Sequence, residues 1–475
     1  MHRRTRIVAT LGPATDRPGV LEGLLQSGLD VARVNFSHGT TAEQRARISR
    51  VRELAAMLTR PIAVLADLPG PKLRVVIDTP VTLIAGQELV LALTENAGGD
   101  IRITEPEALR QLAPGQRVLF DDGRLQLRVR NIDVDTAHLV VEVGGTLLPG
   151  KGMNLPETTL TLPAVTERDR AALAVAAAAG VDWLALSFVR AASAAQELRH
   201  AARAHGLRVP VLAKIERPEG VSNAADIVDA FDGIMVARGD LGVELPVEAV
   251  PPIQKMLIKL AREHGKPVIT ATDMLDSMRH NPRPTRAEVS DVANAVYDSS
   301  DAVMLSGETS IGQYPLEALQ TMAAIIHEAE AQSGVDTGAD IPVPKRTLID
   351  RVTAATCALA RDIQADAIIA PAYSGRTVRL LARHRPRAPI VVPVIHEPVY
   401  RQLALVWGLR PILYVPGTQV GLDRLDEAVR VSHAARAVQE GDRVVAIAGH
   451  GIEGAERYPT MRVVRVGPGG RSSEP

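Results

Sequence analysis

In the segment VLAKIERPEG, Lys214 and Glu216 stand two residues apart in an apolar run. The two-residue period of a strand puts both side chains on one face, with Ile215 on the other. Further on, ARGDLG supplies a second carboxylate, Asp240, directly after Gly239, whose missing Cβ lets backbone come close to a ligand. Two hard oxygen ligands at adjacent strand ends, with room for water and substrate oxygens, make a candidate Mg²⁺ (or Mn²⁺) site. An ion pair that simply finishes a strand is the plainer reading, and Lys214 with Glu216 alone does not separate the two. The segment VARVNFSHG adds Arg33, Asn35, Ser37 and His38 over a strand end and its turn, and Arg74 and Lys151 are further cations. Cations gathered about a two-carboxylate metal site are what phosphoryl transfer needs, because positioning and charge neutralisation supply most of its catalysis.

Such residues need a scaffold that aims them at one point. Eight short β-rich runs, RIVATL, VARVNFS, PIAVLADL, VDWLALSF, VPVLAKIE, FDGIMVARGD, KPVITAT and DAVMLSG, are each followed by a helical segment. That alternation predicts an α/β fold, a (β/α)8 TIM barrel whose active site lies at the C-terminal rim of the strands. Arg33 and Asn35, Asp67, Ser187, Lys214 and Glu216, Arg238 and Asp240, Thr272 and Asp273, and Ser306 and Glu308 all fall at that rim. Residues 1–70 and 163–332 form the expected barrel. Between them, residues 71–162 alternate polar and apolar positions between Gly and Asp turns, which predicts an inserted small β-barrel domain placed as a lid. The polar, proline-containing stretch 333–345 marks the next boundary, and residues 345–475 read as a separate open α/β domain in which QLALVWG is expected to be a helix.

The bulk composition narrows the class. A chain of 475 residues with 54 basic and 55 acidic groups and only 3% aromatics is not a nucleic-acid binder working through a basic, stacking face. One cysteine, Cys357, excludes an internal disulfide framework and suits a reducing compartment. The cationic start MHRRTR leads into only IVATL, and the most apolar span is interrupted by Asp182, so the expectation is a cytoplasmic protein without a membrane partner. Only seven lysines occur (Lys72, Lys151, Lys214, Lys255, Lys259, Lys266 and Lys345), so a retained ammonium invites a chemical reason.

TRIVATLGPA, VARVNFSHG, KGMNLP, LAKIERPEG, GIMVARGDLGVELP, PVITATDML, RPTRAEVSDVANAV and MLSGETSIGQYPLEA closely resemble the motifs of the pyruvate kinase family, from about Thr5 to Glu330. The resemblance implies phosphoryl transfer from phosphoenolpyruvate to ADP, giving pyruvate and ATP in the final step of glycolysis, in a homotetramer with a regulatory C-terminal domain. It implies that Lys214 stabilises the transferring phosphoryl group and the enolate, and that Glu216 and Asp240 hold the metal. Arg33 would bind phosphate, Gly239 offer a backbone contact, and Thr272 stand on the proton-transfer face. Asn35, Phe36, Ser37, His38, Arg74 and Lys151 match nucleotide contacts. PAYSGRTVRLL, with Ser374, Gly375, Arg376 and Thr377, resembles the family's loop for a phosphorylated effector, a sugar phosphate or nucleotide, although an ordinary helix cap reads as well.

The departures are informative. Many members carry Gln where this chain has Asp273, and a hydroxyl residue where it has Ala372. The final segment HGIEGAERYPTMRV also leaves the family pattern. In ADLPGPKLR, Lys72 replaces a family Glu and Leu68 a family Thr, beside Asp67, Asn35 and Ser37, among which many members bind K⁺. A fixed ammonium would repel a second monovalent cation, so K⁺ is expected not to be required. Two rivals stand beside this reading. A metal-dependent lyase or aldolase on the same barrel would have no use for Lys151, Asn35, His38 and Arg74, and a non-catalytic relative would not need Lys214, Glu216, Asp240 and Thr272 together.

Overall fold

The computed structural model describes residues 3–94, 97–160, 162–332, 341, 347–416, 424–448 and 459–473. The eight expected runs form one closed parallel barrel of strands Arg6–Thr10, Val31–Asn35, Ala63–Leu68, Trp183–Leu186, Val211–Ile215, Gly233–Ala237, Val268–Ala271 and Ala302–Leu305. The first strand closes on the last with Arg6 opposite Ala302. The neighbouring register sets Asn35 opposite Asp67 and Ala185 opposite Asp67, so Asn35 and Asp67 reach the same level of the rim and Ser187 stands two residues beyond it. Strand side chains point alternately inward and outward. Inward, Val8, Leu65, Trp183, Leu212, Met235, Ile269 and Met304 fill the barrel as one apolar cluster.

Helices are started by local chemistry. Thr40 with Glu43, Thr166 with Asp169, and Thr285 with Glu288 each form a reciprocal capping box on a helix of the outer ring. Each satisfies two backbone donors that the first helical turn leaves free.

The insertion after the third strand has its own core, running from Leu73 to Leu160 and centred on Leu91, Phe120, Leu127 and Leu139. The expected small β-barrel is built as a five-stranded antiparallel sheet and two two-stranded ribbons about that core. Of residues 333–345, only 341 is among the described residues, so the expected boundary stretch lies almost wholly outside them.

The C-terminal domain is a six-stranded sheet ordered Leu409–Leu413, Ile390–Val394, Ala367–Ile369, Arg443–Ala448, Thr460–Val466 and Ser472–Ser473. Its first four strands run parallel and its last two antiparallel. Here one expectation is corrected: QLALVWG is not a helix. The helix is Glu397–Gln402, started by Pro398, and the chain then makes a 3-10 turn over Leu403–Leu405 before Gly408 turns it into a strand at φ 68°. Tertiary packing overrides the helical pattern. Ala404 and Leu405 are drawn into the apolar cluster inside the barrel, at the strands' N-terminal end. Trp183 Nε1 donates to Gln402 O at 3.1 Å, and Arg401 Nε lies 2.8 Å from Asp182 Oδ1. Asp301 joins the bodies again through Arg385 at 3.1 Å and the Trp407 backbone amide. Among the described residues, no helix is long and apolar enough to cross a membrane.

Candidate active site

At the C-terminal rim, the fifth strand delivers Lys214 and Glu216 into the barrel mouth as the alternation requires. Lys214 Nζ sits 2.8 Å from Glu216 Oε1, 2.8 Å from Ser187 Oγ and 3.4 Å from Asp67 Oδ1. Asp67 is buried and shared: Arg33 Nε donates to its Oδ2 at 2.7 Å, while Arg33 Nη1 donates to Thr10 Oγ1 at 2.8 Å. Two cations and two carboxylates therefore form one packed chain from the second strand to the fifth.

Their protonation follows from that sharing. Burial alone would lower Lys214, but Asp67 and Glu216 outweigh it and hold the ammonium charged well above its usual range. Burial would raise Asp67, yet Lys214 and Arg33 hold it below the ordinary carboxylate range. Glu216 goes the other way, pushed up by burial first and by the neighbouring Asp240, against the pull of Lys214. One ammonium divided between two acids leaves Glu216 short of positive charge, which is why a buried pair at 2.8 Å holds the ammonium up without holding this acid down.

A divalent ion would supply that charge. Glu216 Oε2 accepts the Phe188 backbone N–H at 2.7 Å, and Asp240 lies in the first turn of the helix Arg238–Glu244 with its side chain 27% exposed. Among the described residues no group of three or more His, Cys, Asp or Glu converges on one point. A two-carboxylate set fits Mg²⁺, which keeps several waters and substrate oxygens in its shell, better than ions held in all-protein cages.

Across the mouth, the Gly239 backbone N–H donates to Thr272 Oγ1 at 2.7 Å, and Thr272 Oγ1 donates to Ala271 O at 2.6 Å. A Cβ at residue 239 would stand 3.4 Å from Thr272 Oγ1, in van der Waals contact with that hydroxyl. Thr272 and Asp273 both take left-handed backbone, at φ 68° and 53°, and Phe188 does so at 57°. Such conformations cost on the order of 1–3 kcal/mol each and gather at functional sites. Burial pushes the Asp273 carboxyl up, with Asp276 adding to it.

The expected nucleotide residues fall on the lid side of the mouth. Asn35 Oδ1 accepts the Ser37 N–H at 2.9 Å, and Arg168 Nη2 donates to Ser37 O at 2.8 Å. His38 is held below its usual value by partial burial and then by Arg74, Arg168, Lys72 and Arg33, which marks the cationic character of this corner. Arg74 Nη1 donates to Gly150 O at 3.0 Å, tying hinge to lid. Phe36 differs from the rest: its ring is buried in the barrel's outer core, which leaves only its backbone for a ligand. Lys151 is on the lid, with its ammonium 2.6 Å from Asp121 Oδ1.

Lys72 is placed differently from its sequence neighbours. Asp67 is occupied by Arg33 and Lys214, whereas the Lys72 ammonium lies 4.0 Å from Asp240 Oδ1 and 5.8 Å from the centroid of the Phe188 ring. The charge is thus delivered beside a proposed metal carboxylate. Ser374, Gly375, Arg376 and Thr377 stand far from this rim, on the turn into the seven-residue helix Arg376–Ala382 of the C-terminal domain. Gly375 there adopts φ 78° and no side chain caps the helix, so the alternative reading of Ser374 as an ordinary helix cap is not borne out. Residues 449–458, including most of HGIEGAERYPTMRV, lie outside the described residues.

Sequence reasoning passed over Arg168, Asp121 and Phe188. The capping box at Thr166 and Asp169 was a signal for Arg168, since it fixes the first turn of the helix by which the chain returns from the lid. Nothing local marks Phe188, whose role is its backbone N–H.

A family model described as pyruvate kinase, barrel domain, matches residues 2–319, and one described as pyruvate kinase, alpha/beta domain, matches residues 350–464. The chain is 43% identical to a pyruvate kinase of Geobacillus stearothermophilus over 94% of its own length and 78% of that protein's. It is 41% identical to a pyruvate kinase of Methylorubrum extorquens over 95% and 96% of the two chains, and 41% identical to pyruvate kinase 2 of Synechocystis over 98% and 80%.

Proposed function

Because the chain belongs to the pyruvate kinase family, we propose that its carboxylate and ammonium rim transfers the phosphoryl group of phosphoenolpyruvate to ADP. The observation that carries the assignment of residues is the shared Lys214 ammonium, held between Asp67 and Glu216 at the mouth of the barrel. Arg33 and Lys214 bind the phosphoryl oxygens of phosphoenolpyruvate. Lys214 then faces the enolate oxygen as the phosphoryl leaves, and because it stays protonated it offsets charge that grows only along the reaction. Thr272, positioned by the Gly239 amide, holds the proton-delivering side of the enolate. Glu216 and Asp240 would hold Mg²⁺, which when bound supplies Lewis-acid neutralisation of the phosphoryl oxygens. Asn35, Ser37, His38, Arg74 and, from the lid, Lys151 gather the nucleotide phosphates. Lys151 exchanges its Asp121 partner for phosphate as the lid closes.

The proposal extends to three finer points. Lys72 supplies a permanent positive charge 4.0 Å from Asp240, which removes the need for K⁺. The Ser374–Thr377 turn takes a phosphorylated effector, and the working assembly is a homotetramer in the cytoplasm. The test is pyruvate formation from phosphoenolpyruvate, ADP and Mg²⁺ in a lactate-dehydrogenase-coupled assay, with K⁺ or tetramethylammonium as the monovalent ion. Turnover in both buffers is expected. Absence of turnover by folded protein contradicts the function, and turnover in K⁺ alone contradicts the role of Lys72.

A further inference from the structure

The lid rejoins the barrel along a segment that begins with the strand Met153–Asn154, and two arginines that follow adjacent barrel strands hold its carbonyls. Arg217 Nη2 donates to Leu155 O at 3.1 Å and to Thr158 O at 3.2 Å, and Arg190 donates to Leu160 O and Leu162 O. Arg217 directly follows Glu216, and its backbone is extended, at φ -128° and ψ 155°, so the two side chains go to opposite sides. Glu216 enters the mouth, whereas Arg217 turns to the lid.

The same guanidinium meets Glu244. Arg217 Nη1 lies 3.3 Å from Glu244 Oε1, which also accepts Asn154 Nδ2 at 2.8 Å. The Glu244 side chain is 0% exposed and that of Arg217 5%, while Glu219, which takes Arg217 Nε at 3.1 Å, stands nearer to solvent. Burial pushes the Glu244 carboxyl up, and Arg217 and then Asn154 pull against it. Glu244 Oε2 and Asn154 Oδ1 are buried and have no hydrogen-bond partner among the described residues. Such a cluster is a poor source of stability, since apolar side chains of the same volume would often hold the segment as firmly. What it adds is direction, because each guanidinium N–H has a particular carbonyl or carboxylate to meet.

Both ends of the cluster lead into the site. Glu244 lies four residues beyond Asp240 on the helix Arg238–Glu244, one turn along the same face. On the lid, Met153 pairs with Phe120 and Asn154 with Leu119. Asp121 follows that partner strand; its N–H donates to Gly152 O at 3.2 Å, and its carboxylate lies 2.6 Å from the Lys151 ammonium. The path from the two metal carboxylates to Lys151 therefore runs through Arg217, Glu244 and Asn154 and one two-residue strand.

We propose that Arg217, Glu244 and Asn154 are positioning residues that set the lid's Lys151 against Glu216 and Asp240. The role rests on the nucleotide and metal assignments proposed above, and none of the three residues touches substrate. A misplacement of about 1 Å that starts far from the chemistry can cost up to about 10²-fold.

Initial rates of pyruvate formation at saturating Mg²⁺ test it, with Asn154→Ala and Arg217→Gln made singly and each combined with Lys151→Gln. Asn154→Ala is expected to raise KM for ADP by about tenfold or more and to leave KM for phosphoenolpyruvate within about twofold, because Arg33 and Lys214 stand on the barrel. In the Lys151→Gln background the same substitution should change KM for ADP by less than about twofold, since residues that act through one another are not additive. Arg217→Gln should follow the same pattern; it leaves Glu244 buried without its counter-charge, so should that variant misfold, Asn154→Ala decides the question. An unchanged KM for ADP in Asn154→Ala overturns the proposal. So does an equal rise in both KM values, which marks general loosening, or an effect that survives in full in the Lys151→Gln background. Absence of turnover by the parent contradicts the function itself and this role with it, whereas an active parent whose variants keep its KM for ADP contradicts this role alone.

Discussion

Replacing Lys72 by Glu should convert the protein into an enzyme that responds to K⁺. The Lys72 ammonium lies 4.0 Å from Asp240 Oδ1, and both side chains are 27% exposed. At that separation two unit charges interact by about 4 kcal/mol at an effective dielectric constant of 20. Partial exposure and freedom of the lysine stem reduce the useful part to about 1 kcal/mol, as for most solvent-accessible pairs. Lys72→Glu turns the attraction into a repulsion, a swing of about 2 kcal/mol, which corresponds to roughly 30-fold in kcat/KM. The assay is the initial rate of pyruvate formation in tetramethylammonium and in K⁺ at equal ionic strength. The parent should give a ratio near one, and the variant should lose roughly 30-fold without K⁺ and recover most of it with K⁺. The reasoning fails if the parent collapses without K⁺, or if the variant is equally slow in both buffers.

Other substitutions probe the remaining links. Lys214→Gln should lower kcat by about 10²–10³ with little change in KM for ADP, because a preorganised donor to the developing charge is lost; near-parental kcat in stopped assays would exclude its role. Leu405→Ala should cost about 2–5 kcal/mol by emptying the base of the barrel, where Leu405 is fully buried, seen as a lowered thermal midpoint with kcat retained; an unchanged midpoint would show that the plug does not hold the domains together. Asp350 accepts the Thr347 backbone N–H at 2.8 Å and lies 2.8 Å from Arg383 Nη2. Burial would raise it, but the Thr347 hydrogen bonds and Arg383 hold it below the usual carboxylate value. Its folded value is below its unfolded one, so its stabilisation is complete above about pH 4 and is lost as pH falls through the folded value. Asp350→Asn should therefore lower the melting temperature most at neutral pH, by an amount near the ~1 kcal/mol of a lost cap, and least in acid; a constant difference down to pH 3 would refute the assignment.

The barrel was legible because its signals are local. Eight apolar runs alternate with helices, and the two-residue period alone aims Lys214 and Glu216 to one side. What could not be read depends on partners distant in sequence. Lys151 belongs to Asp121 only because the lid folds a turn back on itself, and Lys72 faces Asp240 rather than Asp67 because Arg33 and Lys214 already fill the latter. QLALVWG has a helical pattern, but Ala404 and Leu405 answer to the barrel interior and Leu403 to the core of the C-terminal domain rather than to a helix of their own. The left-handed backbone at Phe188 and Thr272 has no glycine to announce it.

The most direct measurement is ³¹P NMR of phosphoenolpyruvate, ADP and Mg²⁺ with the parent protein and with Asp240→Asn. The account predicts that the phosphoenolpyruvate resonance is replaced one for one by the γ-phosphate of ATP with the parent, and that the variant is slowed by about 10² or more. Inorganic phosphate appearing in place of ATP, or equal rates in the two proteins, would contradict it.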